Sequence, residues 1–290
     1  MRGKRVQFDF EIDFSNGGGL AGRSFRLDID GDDIADDALA DYIVRDLRLL
    51  MVGAVRIRNK TIIAEPHKRG ASARRFVDLS HTIEDGMITY KGFPAPLVCD
   101  HLGHAASRAN YAPGTEFQIG RIEMVVNTGT YIDSPYHRYA DGDDVADFAL
   151  DHIASLDAVV VRAIGGRDRA IRASAFARLE VRDKAVLVHT GWDRHWRTDQ
   201  YFEGHPFLTA DAAMHLRDAG ARLVGIDSLN IDDTADPARP VHTTLLGAGI
   251  PIVEHLCELV AVPETGFRFS AVPPKVRRMG TFPVRAFALI

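Results

Sequence analysis

The pattern of apolar and polar residues divides the chain into two parts. Near the N-terminus, apolar residues alternate with polar ones over Val6–Phe10 and again over Ser24–Ile29, which predicts two half-buried strands. Apolar residues then recur at helical spacing over Leu39–Leu50, directly after an acidic segment of the kind that favours a helix N-terminus. The run from Val55 to Ile63 predicts a closing hairpin. Residues 1–70 are thus expected to form a small ββαββ unit.

The second part, residues 76–290, alternates short β-rich runs with helical patterns. Strands are predicted at Ala158–Val161, Ala185–His189, Ala221–Asp227 and Ile252–Glu254, and helices at Ala173–Leu179 and Thr209–Asp218. Alternation of this kind is typical of an α/β domain with a buried sheet. A stretch of small and basic residues, 66–75, is expected to link the two parts.

Composition narrows the class of protein. The 290 residues carry a formal net charge of −5, and no basic cluster interleaves with aromatic residues, so a nucleic-acid partner is not expected. No apolar run approaches the roughly 18 residues of a membrane span. The charged, alternating N-terminus is unlike a signal peptide. We expect a cytoplasmic protein that acts on a small molecule.

The segment from Asn127 to His137 carries the strongest chemical signal. Successive side chains of an extended segment point to opposite faces, so Asn127, Gly129, Tyr131 and Asp133 would share one face. His137 follows after a turn fixed by a proline. A carboxylate and an imidazole at the end of a strand are typical of a metal site or an acid–base site.

Further chemical side chains follow the ends of the later predicted strands. They are His189, Asp227, His242 and Glu254. Open α/β sheets usually place their binding sites at such strand ends. Asp227 and Asp232 are expected instead to fix loops by accepting backbone N–H bonds.

The central segment resembles the signature of the cyclase family of metal-dependent hydrolases, which includes bacterial kynurenine formamidases and isatin hydrolases. That signature reads His-x-Gly-Thr-His-x-Asp-x-Pro-x-His. The matching positions here are Gly129, Thr130, Asp133, Pro135 and His137. Asn127 and Tyr131 stand where the family has its two leading histidines. The resemblance covers roughly residues 76–290 and implies a β/β/α domain of the swivelling type. The residue pattern places a small α+β extension before it.

The resemblance also implies a ligand set. Carried over by position, the family's metal ligands fall on Asn127, Tyr131, Asp133, His242 and Glu254, where Glu254 follows His242 by twelve residues. In two-metal members the two leading histidines hold one of the ions. An amide and a phenol are poor substitutes for them. Asp133, His242 and Glu254 would still suffice for one Zn²⁺ or Mn²⁺ with an open position for water, with the alternative that no ion is bound.

From this set we expect a hydrolase of an amide-like bond in a small molecule, such as an arylformamide, a lactam or another cyclic amide. His137 matches the family's general acid/base, and we assign Tyr131 as a hydrogen-bond donor to the oxyanion. Candidate residues lining the substrate site are Asn127, Phe93, Tyr136, His189 and Trp192.

Other interpretations stay open. Asp133 could cap the following turn, His137 could be a structural histidine and Tyr131 a core aromatic. A metal-poor cyclase or dehydratase would use Asp133, His137 and Tyr131 alone, and a non-catalytic descendant would keep the fold for binding. As in the family, a homodimer or higher homo-oligomer is expected. We interpret the N-terminal unit as a packing or dimerisation appendage.

Overall fold

The chain divides into two compact units, Met1–Ala73 and Arg74–Ile290. The computed structural model describes residues 4–65, 75–166 and 168–290. Nearly all of the linker expected at 66–75 therefore lies outside the described residues.

The first unit is a three-stranded antiparallel sheet with one helix. Its elements are β1 (Lys4–Phe14), β2 (Gly19–Ile29), α1 (Asp36–Asp46) and β3 (Val52–Ala64). The strand order is β2-β1-β3, and Phe8, Leu39 and Ile43 are among the side chains of its buried core.

The closing hairpin predicted in this unit is wrong, so the order is ββαβ rather than ββαββ. β3 runs through Asn59, which has a φ of 51° where the pairing with β1 shifts register. The Asn59 amide donates to the Asp9 carboxylate over 2.7 Å. Asn tolerates this left-handed conformation, so the residues that suggested a turn form a bulge within one strand.

Within the described residues, the second unit contains thirteen further strands and three helices. The strands are β4 (Phe76–Asp78), β5 (Leu97–Leu102), β6 (Ile119–Glu123), β7 (Tyr131–Asp133), β8 (Leu156–Arg162), β9 (Ala170–Ile171), β10 (Ala185–His189), β11 (Phe207–Leu208), β12 (Leu223–Ile226), β13 (Ile252–Glu254), β14 (Phe267–Ser270), β15 (Thr281–Pro283) and β16 (Phe287–Leu289). The helices are α2 (His104–Ser107), α3 (Ala210–Asp218) and α4 (Pro240–Gly247).

A nine-stranded mixed sheet organises this unit, in the order β15-β7-β13-β12-β10-β8-β14-β16-β4. The central strands β8, β10, β12 and β13 are parallel, and the others pair antiparallel. Alternate side chains of β8 and β10 enter two separate buried clusters, one of which includes α3 and α4. Burial on both faces explains why these strands are continuous apolar runs in the sequence.

Three helical segments differ from the sequence-based expectation, and one of them is the short α2, which was not predicted. The helix predicted at Ala173–Leu179 is only a single 3₁₀ turn at Ala173–Ala175, anchored by the buried Phe176. α4 carries no clear apolar periodicity in its sequence and was not predicted. Across the described ranges, no helix combines the length and the apolar character needed to cross a membrane.

Candidate metal centre

Three adjacent strands at one end of the sheet align the central side chains. Asp133 lies directly opposite Thr281 in the β7–β15 pairing, and Tyr131 lies directly opposite Glu254 in the β7–β13 pairing. Directly paired residues, and residues two apart on one strand, project to the same face. The pairing therefore gathers these four side chains on one face.

The extended face predicted from Asn127 to Asp133 is only partly present. Tyr131–Asp133 is a strand, but Asn127 and Gly129 lie in the loop before it. Gly129 has a φ of 68°, and a Cβ there would lie 2.9 Å from the Ile83 side chain. This turn excludes larger residues and delivers the chain into β7.

His242 is brought to the same place by the first turn of α4. The Asp232 carboxylate accepts hydrogen bonds from the backbone N–H groups of Val241 and His242, over 2.7 and 3.0 Å. It also lies 2.6 Å from His242 Nδ1. Nδ1 is thereby the protonated donor in the neutral ring, so Nε2 presents a lone pair.

The Nε2 atom of His242 faces two more carboxylates. Asp133 Oδ2 and Glu254 Oε1 each lie 3.7 Å from it. Asp133 Oδ2 is buried and has no hydrogen-bond partner among the described residues. An ionised carboxylate oxygen without a partner is costly to bury, which points to a missing positive group at this position.

Thr281 joins Asp133 to His137. Its hydroxyl donates a short hydrogen bond to Asp133 Oδ1 and lies 3.0 Å from His137 Nδ1. Because the single Thr281 proton is given to Asp133, the His137 Nδ1–H donates to the hydroxyl oxygen. His137 Nε2 is then left as the basic nitrogen.

Glu254 is held from both sides. Its Oε1 accepts a hydrogen bond from the Ile231 backbone N–H over 2.6 Å, and its Oε2 accepts one from the Tyr131 hydroxyl over 2.6 Å. The Asn230 amide approaches Oε2 at 3.4 Å. Burial and the charge of Glu254 raise the pKa of Tyr131 well above its usual value, so the phenol is a neutral donor.

The electrostatics of the cluster favour a cation. Burial lowers the pKa of His242, but its interactions with Asp133, Asp232 and Glu254 outweigh burial and raise the pKa to about 10. Burial and the charge of Asp133 raise the pKa of Glu254, against the opposing charge of His242. Three buried carboxylates surround one imidazole, so a single proton on His242 leaves excess negative charge.

The donor set fits a divalent metal ion. Asp133, His137 and His242 each offer a ligand atom, and these atoms all lie within 4.8 Å of one another. Glu254 Oε1 lies beside the same His242 nitrogen. Carboxylate oxygen and imidazole nitrogen suit Zn²⁺ and Mn²⁺, and the orphaned Asp133 Oδ2 supplies the site with an unused acceptor.

The cluster opens into a cavity with a volume of ≈ 320 Å³. The residues that line it are Tyr90, Phe93, Asn127, Tyr131, His137, Arg138, Asn230, Arg239, His242 and Glu254. Tyr90 and Phe93 stack with their ring centroids 5.4 Å apart.

Three of the predicted lining residues do not lie in this cavity. They are Tyr136, His189 and Trp192. His189 is buried, with Nδ1 2.6 Å from an Arg162 nitrogen, and the Trp192 indole donates to the Tyr201 carbonyl over 3.0 Å.

Several site residues were missed or understood only in part. Asp227 and Asp232 do accept backbone N–H bonds, as predicted, but Asp232 also holds His242. No sequence motif or other local signal marks four further residues of the site, which are Thr281, Asn230, Arg138 and Arg239.

Comparison with known proteins defines the class. In the solved structures, a potential metal-dependent hydrolase with cyclase activity matches with a TM-score of 0.62 and 28% identity, over 75% of this chain and 98% of that one. Isatin hydrolase A from Labrenzia aggregata, bound to benzyl benzoate, matches with a TM-score of 0.65 and 22% identity, over 77% and 96%. Both share the mixed α/β fold, which confirms the predicted fold class.

The sequence comparisons agree. The kynurenine formamidase of Bacillus cereus is 26% identical over 216 residues, which span 73% of this chain and 95% of that enzyme. The Cyclase family model, described as "Putative cyclase", matches residues 77–233. The chain belongs to this cyclase family of metal-dependent hydrolases, as its central motif predicted.

Proposed function

We propose that this protein hydrolyses an amide-like C–N bond in a small molecule, using one divalent ion held by Asp133 and His242. The orphaned Asp133 Oδ2, which lies 3.7 Å from His242 Nε2, is the observation that carries the proposal. The 26% identity to kynurenine formamidase supports an arylformamide or a cyclic amide as the substrate class.

Glu254 completes the proposed ligand set through Oε1. A zinc or manganese ion bound there would supply a water of lowered pKa and polarise the scissile carbonyl. Tyr131 and the Ile231 N–H fix the Glu254 carboxylate in place. Asp232 fixes the His242 ring, since its carboxylate holds Nδ1.

His137 is the proposed general acid/base rather than a ligand, although its ring offers a nitrogen within 4.8 Å of the ligand atoms of Asp133 and His242. It is the most exposed member of the cluster, and its Nε2 is the nitrogen left free by Thr281. It can take a proton from the attacking water and return it to the leaving nitrogen. Tyr131 is less available for the oxyanion role assigned from the sequence, because its one O–H bonds Glu254.

The metal-free alternatives fit the geometry less well. A cyclase, a dehydratase or a binding protein that works without an ion would have to balance three buried carboxylates with the single proton of His242, and the remaining buried charge is costly. That cost falls away when a cation occupies the cluster. We further propose that the protein forms a homodimer, which light scattering of the purified chain would test.

The test combines metal analysis with turnover. Wild-type protein supplied with zinc or manganese should hold about one ion per chain and hydrolyse formanilide or a cyclic amide. His137→Asn should keep the ion, and its kcat should fall roughly 10²- to 10⁴-fold. Asp133→Asn and His242→Ala should lose both the ion and the activity. An ion-free wild type, or metal loss in His137→Asn with retention in Glu254→Gln, would contradict the ligand set.

A further inference from the structure

Two arginines line the cavity beside the metal cluster, and both are gathered at the start of α4. Arg239 is the residue immediately before the helix, and Arg138 donates through Nε to Thr243 Oγ1, over 3.2 Å, in its first turn. Both side chains belong to the lining of the ≈ 320 Å³ cavity. The cavity therefore carries two permanent positive charges next to the proposed metal site.

Neither arginine forms an ion pair with a carboxylate of the described chain. Arg239 donates through one terminal nitrogen to the Asp233 carbonyl over 3.1 Å, and Arg138 bonds a hydroxyl. Elsewhere arginines of this unit do pair, as Arg285 does with Asp78. A guanidinium has five N–H donors, so each cavity arginine keeps several donors for a ligand.

The backbone at Arg239 supports a functional position. Its φ is 45° and its ψ is 59°, a left-handed conformation that is unusual for a residue with a side chain. The next residue is Pro240, which further restricts the residue before it. Strain of this kind persists only where the surrounding structure holds the residue in place, and it clusters at functional sites, although ten other non-glycine residues of the described chain also have a positive φ.

We propose that Arg138 and Arg239 bind a carboxylate of the substrate, while Tyr90 and Phe93 contact its aromatic or apolar body. The inference rests on the proposed function, because it takes this cavity as the substrate site. Arginine suits a carboxylate since the planar fork matches two oxygens at once.

The same lining disfavours a zwitterion. Among the described residues that line the cavity, Glu254 is the only carboxylate, and both of its oxygens already accept hydrogen bonds. No free anion is thus available for an ammonium group near the two arginines. The substrate class is an aryl amide or formamide with a carboxylate and without a neighbouring ammonium.

A matched series of formamides tests this. Formanilide is neutral, the three N-formylaminobenzoates carry a carboxylate, and N-formylkynurenine carries a carboxylate and an ammonium. We expect the best formylaminobenzoate to exceed the other two in kcat/KM by at least about tenfold. Arg239→Gln and Arg138→Gln should raise KM for that compound roughly 10- to 100-fold, at least about tenfold more than either variant changes KM for formanilide.

The control is Arg178→Gln, which removes the same charge at an exposed position outside the cavity. Arg178→Gln should leave KM and kcat/KM unchanged for every compound, because the two cavity arginines act by direct contact and not by attracting anions to the protein surface. Equal kcat/KM for neutral and anionic compounds, or equal losses for both in the cavity variants, would overturn the carboxylate site.

A binding measurement separates this inference from the proposed hydrolysis. Calorimetry with EDTA present, so that no metal holds the ligand, should detect benzoate but not benzamide. Affinity for benzoate should fall about tenfold in each cavity variant. Failure of every formamide and every cyclic amide to react would refute the proposed function alone, whereas absent or arginine-independent benzoate binding would refute the anion site alone.

Discussion

Tyr131 and Glu254 face each other across the antiparallel pair β7–β13, and the Tyr131 hydroxyl donates to Glu254 Oε2 over 2.6 Å. Tyr131 occupies the position of a motif histidine, but it acts here on a carboxylate rather than as an obvious metal ligand. Its pKa is raised by burial and by the charge of Glu254, so a phenolate ligand is disfavoured. With tyrosine in place of the motif histidine, the side chain holds the proposed ligand Glu254 in place instead of binding the ion itself.

Tyr131→Phe should keep about one equivalent of metal. It should also lower the free energy of unfolding by roughly 1.5–3 kcal/mol, because a buried hydrogen bond to a charged group is lost. Elemental analysis and urea unfolding measure the two effects. Loss of the ion with unchanged stability would show that the phenol oxygen is a ligand.

Asp232→Asn should weaken metal binding by roughly 10- to 100-fold. The amide no longer holds His242 Nδ1–H as a carboxylate does, so the ring loses its preferred tautomer and orientation. Competition with a chelator of known affinity measures the change. Asp233→Asn is the matched control, because the neighbouring Asp233 carboxylate bonds the backbone N–H of Ala235 instead. Equal affinity of the Asp232 variant and the wild type would contradict the role.

Thr281→Val should lower kcat roughly 10- to 100-fold with little change in KM. The isosteric methyl cannot relay the hydrogen bond between Asp133 and His137, so the catalytic nitrogen of His137 loses its orientation. Thr281→Ser restores the hydroxyl and should recover most of the rate. A serine variant as slow as the valine variant would indicate a packing role instead.

The sequence contained the chemically explicit part of this site. Asp133 and His137 lie in one motif, and the resemblance to the cyclase family pairs His242 with Glu254, twelve residues later. Thr281 could not be found, because it meets Asp133 only through the register of β15 on β7, two short strands far apart in the chain. The carboxylate–imidazole contact of Asp232 depends on the loop before α4, a helix whose short sequence has no amphipathic period.

The fold, like the site, could be predicted from the sequence only in part. β8 and β10 were predicted because strands buried on both faces are continuous β-branched runs. The hairpin predicted within β3 failed because Asn59 and Lys60 are typical of a turn, whereas the long pairing with β1 absorbs them as a bulge. Local turn chemistry was outweighed by contacts that only the folded sheet provides.

A partly buried histidine outside the cluster, His81, predicts acid sensitivity. His81 stacks on Trp196 with ring centroids 3.8 Å apart, and burial lowers its pKa to about 4. In the unfolded chain its pKa is about 6.5. The unfolded state therefore binds the proton first, and stability present above pH 6.5 is lost as the pH falls toward 4.

His81→Phe keeps a flat ring against Trp196 and cannot titrate. Between pH 7 and pH 4.5, wild type should lose about 1–3 kcal/mol more unfolding free energy than this variant. Urea unfolding followed by tryptophan fluorescence, with EDTA present, measures the difference. Buried His255 contributes to the acid loss in both proteins, so only the difference reports on His81. Parallel pH profiles of the two proteins would contradict the assignment.

β7 pairs with β13 and β15, so the cluster can form only after these two later strands have been synthesised. Both neighbouring strands come later in the chain, since Glu254 follows Tyr131 by 123 residues and Thr281 follows Asp133 by 148 residues. At a synthesis rate of roughly 5–20 residues per second, the second interval alone takes on the order of 10–30 s. Until Glu254 has been synthesised, the Asp133 carboxylate has neither β13 beside its strand nor the complete proposed ligand set, and until Thr281 has been synthesised it lacks its hydrogen-bond donor. The proposed ligand set is therefore complete only after Glu254 has been synthesised, so the proposed ion is expected to bind the assembled sheet rather than to nucleate its folding.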